Sequence, residues 1–167
     1  EILIGLVGSE MCIRDRYKLE RAELAIALPS DWKLAQESMK DEKWYWPVRL
    51  LKTLARLPIA SDTWLGWGRT TDNRKPFTEG TRLCAAVLTD PQNIEENGFV
   101  CQLPDGEEVN FYQVIPLYRE EKDYKLEHGA QDLLELIGAA GFVASPDRKN
   151  YVERLETVIN AIKDITI

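Results

Sequence analysis

Residues 99–118, FVCQLPDGEEVNFYQVIPLY, constrain the fold more than any other stretch of this chain. Two runs of β-favouring residues flank Pro104, Asp105 and Gly106. In such a turn the proline presets φ, the aspartate bonds back to the backbone, and the glycine accepts a positive φ. The sequence therefore predicts a hairpin, and a sheet that is mainly antiparallel at this point. A lone hairpin is marginal in water. The rest of the chain must supply further strands and a cover.

It offers both. ELAIALP, residues 23–29, alternates Leu24, Ile26 and Leu28 and stops at a proline, the pattern of a strand with one buried face. TRLCAAVLTDP, bounded by Gly80 and Pro91, reads as a buried strand. WPVRLLKTLARLP reads as a helix: Pro47 suits its first turn, and Val48, Leu51, Leu54 and Ala55 form one apolar stripe ending before Pro58. Trp44 and Trp46 precede that helix and are expected to anchor it to the sheet. Ser30, Asp31 and Trp32 form a turn, with a short helix from Leu34 to Met39 capped by Asp31 or Ser30. DTWLGWGRTTDNRKPFTEGT reads as an irregular extended passage.

From Leu117 the period becomes helical. YREEKDYKLEHG ends on Gly129, where a left-handed cap belongs, and Glu121 can pair with Lys125 one turn on. AQDLLELIGAAG gives a second short helix. Ser145, Pro146 and Asp147 can cap a last one, with Val152, Leu155, Ile159 and Ile162 on one face. The sum is an α+β domain, a mixed, largely antiparallel sheet covered by helices.

Composition narrows the function classes. With 167 residues and 44% apolar content, one domain can bury a core of its own. Its apolar runs fall far short of the roughly 20 residues that cross a bilayer, and no signal-peptide pattern is visible, so a cytoplasmic location is expected. A net charge of −7 disfavours nucleic acid and anionic membranes as partners, since each attracts a basic face. A basic protein suits it better.

Residues 6–16, LVGSEMCIRDR, resemble the in-frame translation of a transposase sequencing adapter, with ten codons agreeing from Leu6 to Asp15 and an eleventh begun at Arg16. Residues 1–16 are therefore expected to be a non-native segment, and 17–167 a single domain incomplete at its N-terminus. Without that segment 25 acids and 19 bases remain, net −6. Cys84 and Cys101 then remain as the cysteines, both placed on strands as core fillers rather than metal ligands.

Catalytic signals are thin. His128, the lone histidine, sits at a helix end where it favours the helix dipole. Glu120, Glu121 and Asp123 read as a solvated helix face, and no nucleophile elbow or phosphate loop is present. No catalytic residue, metal or cofactor is expected. Trp64 and Trp67 are spaced by three in a glycine-containing segment, so one strand face cannot hold both. Burial of both is one expectation; burial of one with exposure of the other is the alternative. Trp67 with Arg69 is the candidate partner-binding pair, because exposed tryptophan and arginine dominate binding hot spots.

Several blocks together, AELAIALPSDW, YWPVRLLKTLAR, DTWLGWGRT and VNFYQVIPLYREEKDYKLEHGAQDLLEL, resemble the Suppressor of Fused family in unbroken order from Glu20 to Asn150. DTWLG and PLYREE are similar to bacterial members; LTDPQ, Leu88 to Gln92, is similar to animal ones. The resemblance implies further sequence before the AELAIALP strand and a non-enzymatic binding domain. Animal members sequester zinc-finger transcription factors of Hedgehog signalling, and their partner-binding residues do not carry over, because the passage around Gly66 to Arg69 departs from the animal pattern. Bacterial relatives look like immunity proteins that neutralise toxins, and that reading, with a basic toxin as partner, is the expectation here. The alternatives are a general regulatory interaction module and a hydrolase whose site lies in the missing N-terminal part. The sequence leaves the oligomeric state open.

Overall fold

Strand β6, Glu108–Leu117, is the axis of the sheet in the computed structural model, which describes residues 21–61, 63–92, 94, 95, 98–155, 157 and 158, together with the backbone of 2–6. On one flank β2 (Arg21–Leu28) runs parallel to it, Arg21 opposite Val109 and Ala25 opposite Gln113. On the other flank β4 (Ala85–Thr89) runs antiparallel, from Ala85 opposite Leu117 to Thr89 opposite Gln113. Strand β5 (Val100–Gln102) pairs antiparallel with the start of β6, as the hairpin pattern predicts. In the turn, Gly106 has φ 84°, Leu103 N–H donates to Glu107 O at 2.8 Å, and the Asp105 carboxylate accepts Glu107 N–H at 3.1 Å.

Two edges complete the sheet. Strand β3 (Thr70–Asp72) pairs antiparallel with β4, and β1 (Ile2–Leu6) pairs antiparallel with β2, Ile2 opposite Leu28 and Leu6 opposite Leu24. The order is β1-β2-β6-β4-β3, with β5 beside β6. The single parallel pair, β2 with β6, needs a long crossover, and helix α1 (Glu42–Ser61) lies within it.

Period-two alternation divides the strands between two cores. Ala22, Leu24, Ile26 and Leu28 of β2, Ala86 and Leu88 of β4, and Tyr112 and Val114 of β6 share a core with Trp46, Leu50, Leu51 and Leu54 of α1. Ala85, Val87, Ile115 and Leu117 point the other way, into a core with Leu133 and Ile137 of α3 (Ala130–Gly141). Helices on both faces explain why β4 is buried at every residue.

The helices depart from their sequence-based bounds. Helix α1 begins four residues before Trp46 and runs through both prolines. Its start is set by Asp41, whose Oδ1 accepts the Lys43 N–H at 2.9 Å. Trp44 and Trp46 thus lie within the helix. Trp46 is fully buried, its ring stacked on Phe77 with centroids 5.4 Å apart, and Trp32 meets it edge-on at 6.2 Å. That burial holds the first turns closely enough for Pro47 to sit beyond the N-terminal position usual for proline. Instead of a helix over Leu34 to Met39 there is one 3₁₀ turn, Ser38–Lys40.

Helix α2 (Arg119–His128) ends at Gly129 as expected, but with φ 98° and ψ 167° the glycine is extended in the positive-φ region rather than left-handed helical. It redirects the chain into α3. The last helix, from residue 151, is capped by Asn150, whose Oδ1 accepts the N–H groups of Val152 (3.1 Å) and Glu153 (3.3 Å), not by the Ser145 to Asp147 stretch. Val152 is buried as the pattern requires, while Ile159 and Ile162 lie outside the described residues. No described helix is long and apolar enough to cross a membrane.

Candidate partner-binding surface

The passage that joins α1 to β3 is fixed to the core by Leu65. Leu65 is 1% exposed and Gly66 beside it is buried, while Trp64 and Trp67 on either side of them are exposed. Gly66 has no room for a side chain because the Trp64 ring lies across it: a Cβ there would meet Trp64 Cζ3 at 2.6 Å. Gly68, at φ 72°, makes the turn, and its N–H donates to Leu88 O at 2.8 Å. Leu88 N–H returns a bond to Arg69 O at 3.0 Å, so the passage is an extension of the β3–β4 ladder.

Neither tryptophan is buried. Trp64 is 44% exposed and Trp67 43%, against both sequence expectations. The reason is the reversal at Gly66–Gly68, which removes the strand geometry that would have sent one of them inward. Arg69 joins Trp64 rather than Trp67: its guanidinium lies 5.4 Å from the Trp64 ring centroid and its Nη2 donates to Thr63 Oγ1 at 2.7 Å. Among the described residues Trp67 has no ring contact with Arg69, and next to it Gly68 lies beside the start of α3, where Ala130 Cβ is 3.5 Å from the Cβ position of Gly68. The surface is therefore two aromatic faces and one half-buried arginine on a backbone fixed to the sheet.

The acidic helix face holds a site that the sequence pattern misread. Glu121 is fully buried and binds Arg148, not Lys125. Its Oε2 accepts the Tyr118 N–H at 3.0 Å at the start of α2. Around the pair opens a cleft of about 520 Å³ lined by Thr81, Arg82, Tyr118, Arg148, Asn150 and Glu153. Arg82 Nη2 bridges Glu120 at 3.1 Å and Glu153 at 2.6 Å, and Asn150 donates to Glu120 at 2.9 Å. Both arginines of the cleft are engaged with carboxylates, so the cluster ties elements together.

Other titratable groups are dispersed. Cys84 is buried just ahead of β4, and burial pushes its thiol pKa up, away from the reactive thiolate. Cys101 lies on β5 but is exposed, because β5 is a short strand at the sheet's rim. His128 is half-exposed at the end of α2, with its ring 4.3 Å from that of Tyr124. Among the described residues no three His, Cys, Asp or Glu side chains gather as a metal site would require.

The profile of the Suppressor of fused protein (SUFU) matches residues 4–149. The chain belongs to the Suppressor of fused family. An uncharacterised protein of Ureaplasma parvum serovar 3 is 26% identical over 136 residues, 80% of this chain, and the chain spans 64% of that relative's length. The solved Sufu–Fu complex contains a chain with the same fold, at a TM-score of 0.65 and 19% identity over 89% of this chain and 66% of that one. A Suppressor of fused homologue from Neisseria gonorrhoeae FA 1090 superposes with a TM-score of 0.56 at 16% identity, covering 78% of this chain and 63% of its own. The family expectation and the mixed α+β architecture drawn from the sequence both agree with these findings. On the surface of this Suppressor of fused domain, Trp64 and Trp67 are the exposed aromatics of the passage between α1 and β3, with Arg69 against the Trp64 ring.

Proposed function

We propose that this domain acts by binding a protein, without catalysis, and that its partner is a basic toxin that it neutralises as an immunity protein in the cytoplasm. The observation that carries the reading is the exposed Trp64 and Trp67 on a turn fixed to the sheet by the Gly68–Leu88 and Leu88–Arg69 hydrogen bonds. A rigid aromatic pair loses little conformational freedom on binding, and tryptophan and arginine carry most of the energy in alanine scans of interfaces. Family membership supports binding as the mode of action, and the relative solved as a Sufu–Fu complex is itself a protein-bound one. The net charge of −7 supports a basic partner, because charge complementarity speeds encounter.

The test is co-expression with the toxin encoded beside the gene, followed by stopped-flow association of the purified pair. Protection of the host and an association rate that falls about tenfold or more between low and high salt are expected. Trp67→Ala should weaken the complex by about 1–2 kcal/mol or more. Absence of protection and of complex formation would remove the toxin reading and favour a regulatory interaction module. Turnover of simple esters or phosphoesters by the purified protein would favour a hydrolase.

A further inference from the structure

The core beneath α1 ends at a carboxylate. Along β4 and β6 the register sets Leu88 opposite Val114 and Thr89 opposite Gln113, and one residue further Asp90 stands opposite Tyr112. Period-two alternation returns Asp90 to the side of Leu88, Val114 and Tyr112, which all belong to that core. Asp90 is half-buried between the buried Thr89 and Pro91. The chain after it is held in place, because Gln92 N–H donates to Gln113 Oε1 at 2.9 Å and Gln92 Nε2 to Asp90 O at 3.1 Å.

Neither polar group at this corner has a partner among the described residues. Tyr112 is 7% exposed, and its hydroxyl makes no hydrogen bond to another described residue. The Asp90 carboxylate accepts no hydrogen bond and meets no cation among them either. Burial raises its carboxyl pKa, and burial together with the Asp90 charge raises that of the Tyr112 hydroxyl, so the two groups lie within electrostatic reach of each other. Asp72, Glu120, Glu121 and Glu153, by contrast, are each bound to a lysine or an arginine. A desolvated carboxylate without a cation weakens the free fold, and such groups gather where a ligand supplies the missing charge. The exposed tryptophans are near: Gly68 N–H donates to Leu88 O, so the passage that carries Trp64 and Trp67 runs along the last residues of β4.

We infer that Asp90 and Tyr112 form the receptor for one lysine or arginine side chain of a protein partner, the Asp90 carboxylate pairing with its charge and the Tyr112 hydroxyl oxygen accepting a second N–H. This rests on the protein-binding reading above and adds to it the residues that select a basic partner. The pair stands on a rigid strand end at the rim of the core, where a charge-assisted hydrogen bond is stronger than in open water. Net charge speeds the approach of a basic protein, whereas a single fixed carboxylate beside exposed aromatics selects which of its side chains docks.

Amide chemical-shift titration of the full chain at fixed ionic strength tests it, with the blocked tripeptide Gly-Arg-Gly as probe and Gly-citrulline-Gly, uncharged and of nearly the same shape, as control. The arginine peptide should give saturable shifts at residues 88–92 and 111–113, with the citrulline peptide about tenfold weaker or more. Asp90→Asn should abolish the difference between the two peptides, and Tyr112→Phe, which keeps the ring and removes the hydroxyl, should weaken the arginine peptide about threefold or more. Thermal unfolding of both variants reports an intact fold. No saturable shift at those residues up to about 20 mM peptide, equal binding of the citrulline peptide, or undiminished binding to Asp90→Asn would each overturn the proposal. These outcomes do not involve a toxin. A toxin complex that forms equally well with Asp90→Asn would overturn the receptor while leaving the toxin reading in place.

Discussion

Arg148 and Glu121 form a buried two-point ion pair, Nη1 to Oε1 at 2.7 Å and Nη2 to Oε2 at 2.5 Å, with side chains 5% and 0% exposed. Glu121 also accepts N–H groups of Tyr118 and Tyr151, while Arg148 donates to Pro116 O at 2.8 Å and lies over the Tyr118 ring. One carboxylate therefore joins the end of β6, the start of α2 and the start of the last helix. Removing a single partner of such a pair leaves an uncompensated charge in a low-dielectric site. Arg148→Ala is expected to cost about 3–5 kcal/mol in urea unfolding, and Glu121→Leu combined with Arg148→Met to regain most of that loss. A single-variant cost below about 1 kcal/mol would falsify this account.

That pair shows where reading the sequence stops. The hairpin at Pro104 to Gly106, the strand at Leu24 to Leu28 and the helix around Leu51 and Leu54 were legible because each rests on local periodicity or turn chemistry. Glu121 looked like one of a run of solvated carboxylates, because its partner lies 27 residues on, in a stretch with no regular pattern. The spacing of Tyr118 to Glu121 does match half of a capping box, but tyrosine is not a capping residue and hides the signal. The Trp64–Arg69 pairing was equally illegible, since it depends on how Gly66 and Gly68 turn the backbone.

The tryptophans should separate stability from binding. Trp46 is fully buried and stacked on Phe77, so Trp46→Ala should destabilise by about 3–5 kcal/mol. Trp67→Ala removes a ring that is 43% exposed and should change stability by under about 1 kcal/mol. Thermal and urea unfolding of the two variants decide the matter. A large loss of stability in Trp67→Ala would make that residue part of the fold rather than of a surface.

Asp90, just after β4, has its carboxyl pKa raised by burial, and its charge in turn adds to the burial that raises the Tyr112 hydroxyl. A raised carboxyl pKa means that the folded state holds the proton more tightly than the unfolded one. The associated stability is fully present below the unfolded value near 3.8 and is lost as pH rises through the folded value. Asp90→Asn, which cannot ionise, should therefore be more stable than the parent at neutral pH, with the gap closing as pH falls below that range. A gap independent of pH would show that the substitution acts through something other than the charge of Asp90.

Strand β1 pairs along β2 from Leu24 to Leu28, yet residues 6–16, which begin at its last residue, resemble a translated adapter, so its contribution to stability is open to direct measurement. The opposite side of β2 is held independently, by β6 over Arg21 to Ala25 and by the Ala144 N–H donating to Ala27 O at 2.8 Å. Among the described residues, the side chains of the two cores run from Ala22 to Tyr151. A chain of residues 17–167 is therefore expected to unfold cooperatively, with a midpoint lowered by no more than about 2–4 °C, the shift that about 1 kcal/mol produces in a domain of this size. Its β2 edge would then be bare, an invitation to strand pairing between molecules, so aggregation should rise with concentration even as the unfolding transition is kept. Light scattering and calorimetry on the two chains measure both effects. A cooperative loss of several kcal/mol on removing residues 1–16 would show that the segment is part of the fold, with an evolved register on β2 rather than an opportunistic one.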